Sequence, residues 1–345
     1  MLAAALAVLL AGSPGREARI GLATHMQWSG EPIRLQVAAL RDGGVRWIRE
    51  DFTWAAIEPT EGSFDWRGPD ALMAAAAAEG VDVLALLAYS APWAASGDDE
   101  HFPPRDPADY ARYARAVVER YGEGGSFWEG RDDVRPLRAV EVWNEPWGHF
   151  FWEPDPDPAA YAALARAAAR AVREAGASVQ VLVPADLLQV RTDGSIAPWF
   201  EALLAADPDL PELVDGWTVH PYPSPFDRSP ADSDADPRFG YGRVEQVHEI
   251  ARRHDVERPI WITELGWSTA PEHEESVSEE EQADYVAIAL DRALGDWSDF
   301  VERIFIYSFD RSGEAADDLQ AHFGLRRADG SFKPAWEEIA ERAGR

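Results

Sequence analysis

The chain contains no cysteine, which removes disulfides, thiol nucleophiles and thiolate-bound metals from consideration. Cations are scarce: 32 Lys and Arg stand against 62 Asp and Glu, a formal net charge of −30. That balance argues against nucleic acid and anionic membrane surfaces as partners, and describes a heavily solvated surface. Lys333 is the only lysine. Membrane-length apolar runs are missing too. Leu2–Ala11 is continuous Leu, Ala and Val but falls well short of the roughly 20 residues a spanning helix needs. It resembles the hydrophobic core of a signal peptide, although no basic residue precedes it and no small-x-small cleavage site follows. A start codon placed slightly late would account for the missing basic region. The expectation is an apolar segment over 1–18, export to a secreted or cell-envelope location, and one domain over 19–345. The alternative is a frayed, alanine-rich helix on a cytoplasmic protein. No Gly-x-Gly-x-x-Gly turn follows the first strand, which disfavours a doubly wound dinucleotide-binding sheet, and no cofactor is expected.

What the sequence does have is alternation. Apolar strands are expected at Ile20–Thr24, Val45–Arg49, Val81–Leu87, Ala139–Trp143, Val179–Val183, Val214–Val219, Pro259–Thr263 and Ile304–Tyr307. Between and after them, helices are expected at Ile33–Leu40, Ala71–Glu79, Ala108–Tyr121, Ala159–Glu174, Ile196–Ala206, Val244–His254, Glu279–Leu294 and Pro334–Arg342. Eight such units without a linker predict an α/β fold, a single (β/α)8 TIM barrel. Most helix-to-strand connections are short, whereas Glu50–Gly68, Tyr89–Pro107, Pro221–Phe239 and Ser268–Ser278 are long strand-to-helix loops. Long loops at one end of a barrel are where binding and catalysis sit. Gly122–Pro136 is long at the opposite end and reads as surface decoration.

Polar residues cluster at the strand ends. They are His25, Arg49, Glu50, Asn144, Glu145, His220, Tyr222, Glu264 and Asp310, all expected at one barrel mouth. Glu145 and Glu264 each end a strongly apolar strand, the fourth and the seventh, so their side chains can converge across the bore. Two carboxylates across a cleft are what glycoside hydrolysis needs: one protonates the departing oxygen, the other attacks the anomeric carbon or activates water. The pair must sit in different environments to hold different protonation states. Arg49 and Tyr222 are suited to keeping one carboxylate charged. Trp143, Pro146 and Trp147 are suited to keeping water from the other.

Trp143-Asn144-Glu145-Pro146 on the fourth strand, with Thr263-Glu264-Leu265-Gly266-Trp267 on the seventh, resembles the clan A retaining glycoside hydrolases. His220-Pro221-Tyr222, Arg49 and the late stretch Phe323-Gly324-Leu325 through Lys333-Pro334-Ala335 fit the same clan, so the likeness runs from Ile20 to Trp336. Gly21–His25 and Trp143–Trp152 look most like family 39, which includes β-xylosidases and bacterial exopolysaccharide endo-hydrolases, with family 5 next. The resemblance implies that Glu145 is the acid/base and Glu264 the nucleophile. It further implies that Asn144 binds the sugar 2-hydroxyl, that Tyr222 and Arg49 orient Glu264, and that His220 lines the same subsite. His25 is a further candidate. The sequence departs from the clan in one place: Ile304–Phe309 lacks the usual eighth-strand Trp, so Tyr307 or Phe309 is expected to substitute.

Six tryptophans fall in strand-to-helix loops: Trp28, Trp54, Trp93, Trp147, Trp152 and Trp267. Aromatic faces stack on sugar rings, and Trp93, Trp147 and Trp267 are taken as candidate subsite residues. The acidic loop Pro221–Asp236 matches no calcium-loop spacing and reads as a solvated lid. The expected partner is a carbohydrate. One rival reading is a sugar-binding barrel that has lost catalysis. Another, a metal-dependent hydrolase using His25 and His220, lacks the His-x-His ligand spacing, and no metal is expected.

Overall fold

The structure is a computed structural model that describes residue 15 and residues 19–344, apart from 177, 233–236 and 314. The apolar N-terminal segment, and part of the acidic loop, lie outside the described residues. From the N-terminus come β1 (Ile20–Thr24), α1 (Ile33–Asp42), β2 (Trp47–Thr53), α2 (Trp54–Ile57), α3 (Arg67–Glu79) and β3 (Asp82–Ala88). The middle of the chain forms α4 (Pro107–Tyr121), β4 (Ala139–Val142), α5 (Pro158–Ala175), β5 (Gln180–Pro184), β6 (Leu188–Val190), β7 (Ile196–Pro198) and α6 (Phe200–Ala206). It finishes with β8 (Gly216–Val219), α7 (Arg243–Arg253), β9 (Ile260–Leu265), α8 (Glu279–Leu294), β10 (Val301–Tyr307) and α9 (Ala335–Arg342).

Eight of these strands close a barrel in the order β1-β10-β9-β8-β5-β4-β3-β2, with every neighbour parallel. The fold is the expected (β/α)8 barrel. A strand covered by helices outside and side chains inside is buried on both faces, which is why these segments read as unbroken apolar runs. Helix starts are written locally. Asp106 and Asp157 accept backbone N–H groups at the heads of α4 and α5, each followed by a proline, and Ser278 with Glu281 forms a capping box on α8. No helix among the described residues is long and apolar enough to cross a membrane.

Three expectations are corrected. The second strand is Trp47–Thr53, not Val45–Arg49, because pairing with β3 continues through Thr53 and Ala88 and carries polar residues that pattern alone assigns to a loop. The helix expected over Ile196–Ala206 begins only at Phe200. Ile196–Pro198 pairs antiparallel with Leu188–Val190 as a small hairpin, and Pro198 has no N–H to give a helix. The Gly122–Pro136 loop is more than decoration: it folds back as a helical turn burying Phe127 and Trp128, and the Trp128 indole donates to the Tyr121 carbonyl at 2.9 Å.

Gly266 allows the strand ends to close. A Cβ there would lie 2.0 Å from the Tyr307 carbonyl oxygen, so β9 and β10 approach at this point only with hydrogen in that place. Gly266→Ala is expected to lower stability by about 1–3 kcal/mol, read as a fall in the thermal midpoint; an unchanged midpoint would mean the Tyr307 segment moves aside freely.

Candidate active site

Side chains in a strand alternate between the bore and the outer wall. Trp47, Leu84, Ala139, Leu182, Trp261 and Phe305 form a closed apolar cluster low in the bore. Two residues further along β2, β4, β9 and β10 stand Arg49, Glu141, Thr263 and Tyr307. The apolar floor therefore supports a polar layer on four different strands, and that layer is the base of the candidate site.

Strict alternation would turn Glu264 away from the bore, because Thr263 already faces it. The pairing of β9 with β10 slips between Ile304↔Ile262 and Ile306↔Leu265. Two residues of β9, Thr263 and Glu264, thus oppose one of β10. A bulge of this kind re-aims a side chain, and here it delivers Glu264 to the mouth. Its Oε1 accepts from Arg49 Nη1, and its Oε2 accepts from the Tyr222 hydroxyl at 3.0 Å. Burial alone would raise the Glu264 carboxyl; the positive His220 and Arg49 and the Tyr222 hydroxyl outweigh it and hold the group below its ordinary value. Glu264 is an ionised carboxylate.

Arg49 is the hub of the layer. It is 3% exposed and donates through Nε to Glu141 at 2.6 Å, through Nη1 to Glu264, and through Nη2 to the Asn144 Oδ1 at 2.9 Å. A planar fork with its charge fixed is the side chain suited to three such acceptors at once. Asn144 is held from both ends, since its Nδ2 donates to the Tyr89 hydroxyl at 3.1 Å.

Glu145 is positioned by a strained exit from β4. Trp143 and Glu145 both take left-handed backbone conformations, φ 69° and 43°, which cost about 1–3 kcal/mol each for ordinary L-residues. The conformation is enforced by packing: Trp143 is fully buried, edge-on to Tyr89 and Trp152, and its indole donates to the Phe151 carbonyl at 2.7 Å. The result turns Asn144 and Glu145 to the same mouth.

His220 joins the two carboxylate systems. Its Nδ1 lies 2.7 Å from Glu145 Oε1 and its Nε2 3.0 Å from Thr263 Oγ1. The Thr263 hydroxyl donates onward to Glu141 Oε1 at 2.9 Å, so its one proton is committed and Nε2 must carry the hydrogen that it receives. That fixes one end of the imidazole and leaves a single bridging proton between Nδ1 and Glu145. Burial would lower the His220 pKa, but the field of Glu264 and the hydrogen bond to Glu145 carry it above the usual histidine value. The Trp147 ring meets the imidazole edge-on at 5.5 Å.

The remaining expected residues divide. His25 pairs with Asp310 at 2.7 Å and meets Tyr307 edge-on at 5.6 Å. Burial would lower its pKa, but Asp310 outweighs this and brings it to about 9. Tyr307 stands near Tyr222 and Phe323, on the wall where the clan's tryptophan is absent, whereas Phe309 is buried against Trp336. Three assignments fail. Glu50 does not face the mouth: it is fully buried in the wall, bonded to Thr24 and to the N–H groups of Met26 and Gln27. Trp267 is fully buried, packed on Tyr285 and bonded to the Arg228 carbonyl, so it presents no face to a sugar. Trp93 packs on Trp54, its indole tied to the Glu58 carbonyl at 2.9 Å, with Arg112 over its ring; the structure does not bring it to the carboxylates. Trp54 and Trp152 are core, while Trp28 is 58% exposed. His25 and His220 have separate carboxylate partners, and among the described residues His25 joins no three-ligand cluster. Sequence reasoning missed Glu141, Thr263 and Tyr89. The signal available was position: Glu141 is the one charged residue of β4, on the same strand face as Ala139.

The description Glyco_hydro_42, beta-galactosidase, matches residues 24–95. A family 39 glycoside hydrolase from Bacteroides cellulosilyticus superposes with a TM-score of 0.71 at 21% identity, covering 95% of this chain and 64% of that one. A family 39 β-xylosidase from Caulobacter crescentus gives 0.70 at 22%, covering 96% and 72%. The fold is that of family 39 glycoside hydrolases. A third family 39 enzyme, from Xanthomonas axonopodis pv. citri, gives 0.68 at 19%, covering 95% of this chain and 66% of that one. The chain thus spans less than two thirds of the length of the Bacteroides and Xanthomonas family 39 proteins. No curated protein sequence matches it.

Proposed function

We propose that this protein is a retaining glycoside hydrolase that cleaves β-O-glycosidic bonds of an oligo- or polysaccharide by double displacement. The observation that carries the reading is separation. Oxygens of Glu145 and Glu264, with a ring nitrogen of His220, lie within 4.8 Å of one another. Retaining enzymes hold their carboxyl groups about 5–5.5 Å apart, whereas inverting ones leave about 6.5–9.5 Å for a water. Glu264, ionised and oriented by Arg49 and Tyr222, attacks the anomeric carbon. Glu145 gives its proton to the departing oxygen, and the C–O bond to the leaving group breaks as the Glu264 ester forms. In the second step Glu145 takes a proton from water, whose oxygen displaces Glu264 from the same face the aglycone left. Asn144, fixed by Arg49 and Tyr89, is placed to bind the 2-hydroxyl.

Two structural neighbours are β-xylosidases from Caulobacter crescentus, so an aryl β-xyloside is the first activated substrate to try. The apolar run Leu2–Ala11 supports export. Proton NMR of the first sugar released should show the β anomer before mutarotation; a first-formed α anomer would mean inversion and defeat the double-displacement reading.

A further inference from the structure

Beside the mouth lies a recess of about 230 Å³. Its wall includes His25 and Asp310, which it shares with the candidate site, together with Trp28, Glu31, Arg311 and Arg326. A backbone bridge pairs Arg311 with Arg326, so the two guanidinium groups are carried side by side. Glu31 takes one contact from each: Oε1 pairs with Arg311 Nε, and Oε2 with Arg326 Nη1 at 2.9 Å.

One carboxylate does not use up two arginines. Arg326 is 6% exposed, and its Nη2 is buried without a hydrogen-bond partner. An unpaired buried donor is costly. Among the lining side chains His25 and Asp310 cancel and Glu31 offsets one arginine, leaving the lining one positive charge, with Asp329 in the field of Arg311 outside it. This occurs on a chain whose overall balance is −30. At the rim stands Trp28, 58% exposed, an aromatic face of the kind on which a sugar ring stacks.

Resting on the glycosidase reading, we propose that this recess is a subsite for a sugar unit bearing an anionic substituent, a carboxylate or a sulfate ester. Arg326 and Arg311 bind the anionic group and Trp28 carries the ring. Both groups offer the paired oxygens that a guanidinium fork accepts. A chain lying across Glu145 and Glu264 reaches the recess over His25, next to Tyr307.

The test is a binding measurement by ligand-observed NMR, which needs no turnover. The probes are methyl β-D-glucuronide, methyl β-D-glucoside 6-sulfate, methyl β-D-glucoside and acetate. One of the two anionic sugars should bind at least about tenfold more tightly than the neutral glucoside, and which one does so separates carboxylate from sulfate. Arg326→Gln and, on the more exposed side chain, Arg311→Gln should each remove most of that preference, and added salt should weaken it. Equal binding of charged and neutral sugars, no binding of either anionic sugar, acetate competing as well as the sugars, or a preference surviving both substitutions would overturn the subsite. Hydrolysis of a neutral aryl glycoside is scored separately, so failure of the reaction and failure of the subsite give different results.

Discussion

Glu264→Ala should abolish turnover of an activated aryl β-glycoside, with kcat/KM falling on the order of 10⁵-fold, while the barrel still melts as a folded protein. The loss is expected to be that large because, in the proposed double displacement, the residue forms the covalent intermediate, and no neighbouring group is placed to replace it. His220 is held by Thr263 and Glu145, and Glu141 is already bonded to Arg49 and Thr263. The fold survives because Arg49 keeps Glu141 and Asn144 as partners when Glu264 is removed. The same wiring fixes the sign of the pH profile. The Glu264 carboxyl is held below its ordinary value, so its carboxylate form persists at more acid pH than in a free glutamate of pKa about 4.3. The acid limb of kcat/KM should therefore lie below that figure. Unaltered turnover in Glu264→Ala would remove the residue from the role of nucleophile.

The barrel was legible because its evidence is distributed. Eight apolar runs, each followed by a helix, with Asp106, Asp157 and Ser278 capping three of those helices, agree with one another whatever the error at any one boundary. The errors fell where pairing overrides pattern. Asp51 and Thr53 look like loop residues, yet the register with β3 draws them into β2. Ile196–Pro198 looks like the first turn of a helix, yet it is paired with Leu188–Val190.

In the site, residue identity was readable and direction was not. Glu145 and Glu264 stand out in sequence as carboxylates ending apolar strands. What aims them is a bulge in β9 and two left-handed residues around Asn144, neither of which leaves a mark in a single sequence. Glu50 shows the converse: it is as close to Arg49 in sequence as a neighbour can be, and alternation sends it into the opposite wall. The tryptophans mislead for a related reason. A loop between strand and helix can be as deeply packed as the barrel, and Trp54, Trp152 and Trp267 fill that packing rather than the cleft.

Glu145→Ala should separate leaving groups instead of silencing the enzyme. In the proposed mechanism, bond breaking to a poor leaving group, such as a second sugar, needs a proton from Glu145, and the loss there should be about 10²–10⁴-fold. An aryl group that departs as a stable phenolate needs no proton, so its first step should be nearly unchanged. Glu264, Arg49 and Tyr222 keep their bonds in this variant and still build the glycosyl ester. The second step lacks its base for every substrate, so the ester should accumulate after a burst of phenolate. A small anion such as azide needs no base and fits the volume the side chain vacates, so it should restore turnover and leave a β-glycosyl azide. An equal loss on good and poor leaving groups, without a burst, would assign Glu145 to binding rather than proton transfer. An α-azide would place the anion on the nucleophile's side and exchange the two roles. The retained His220 makes the experiment sharper: its Nε2 stays fixed by Thr263, so any proton it supplies in place of Glu145 must come from Nδ1, and His220→Ala in the same background removes that route.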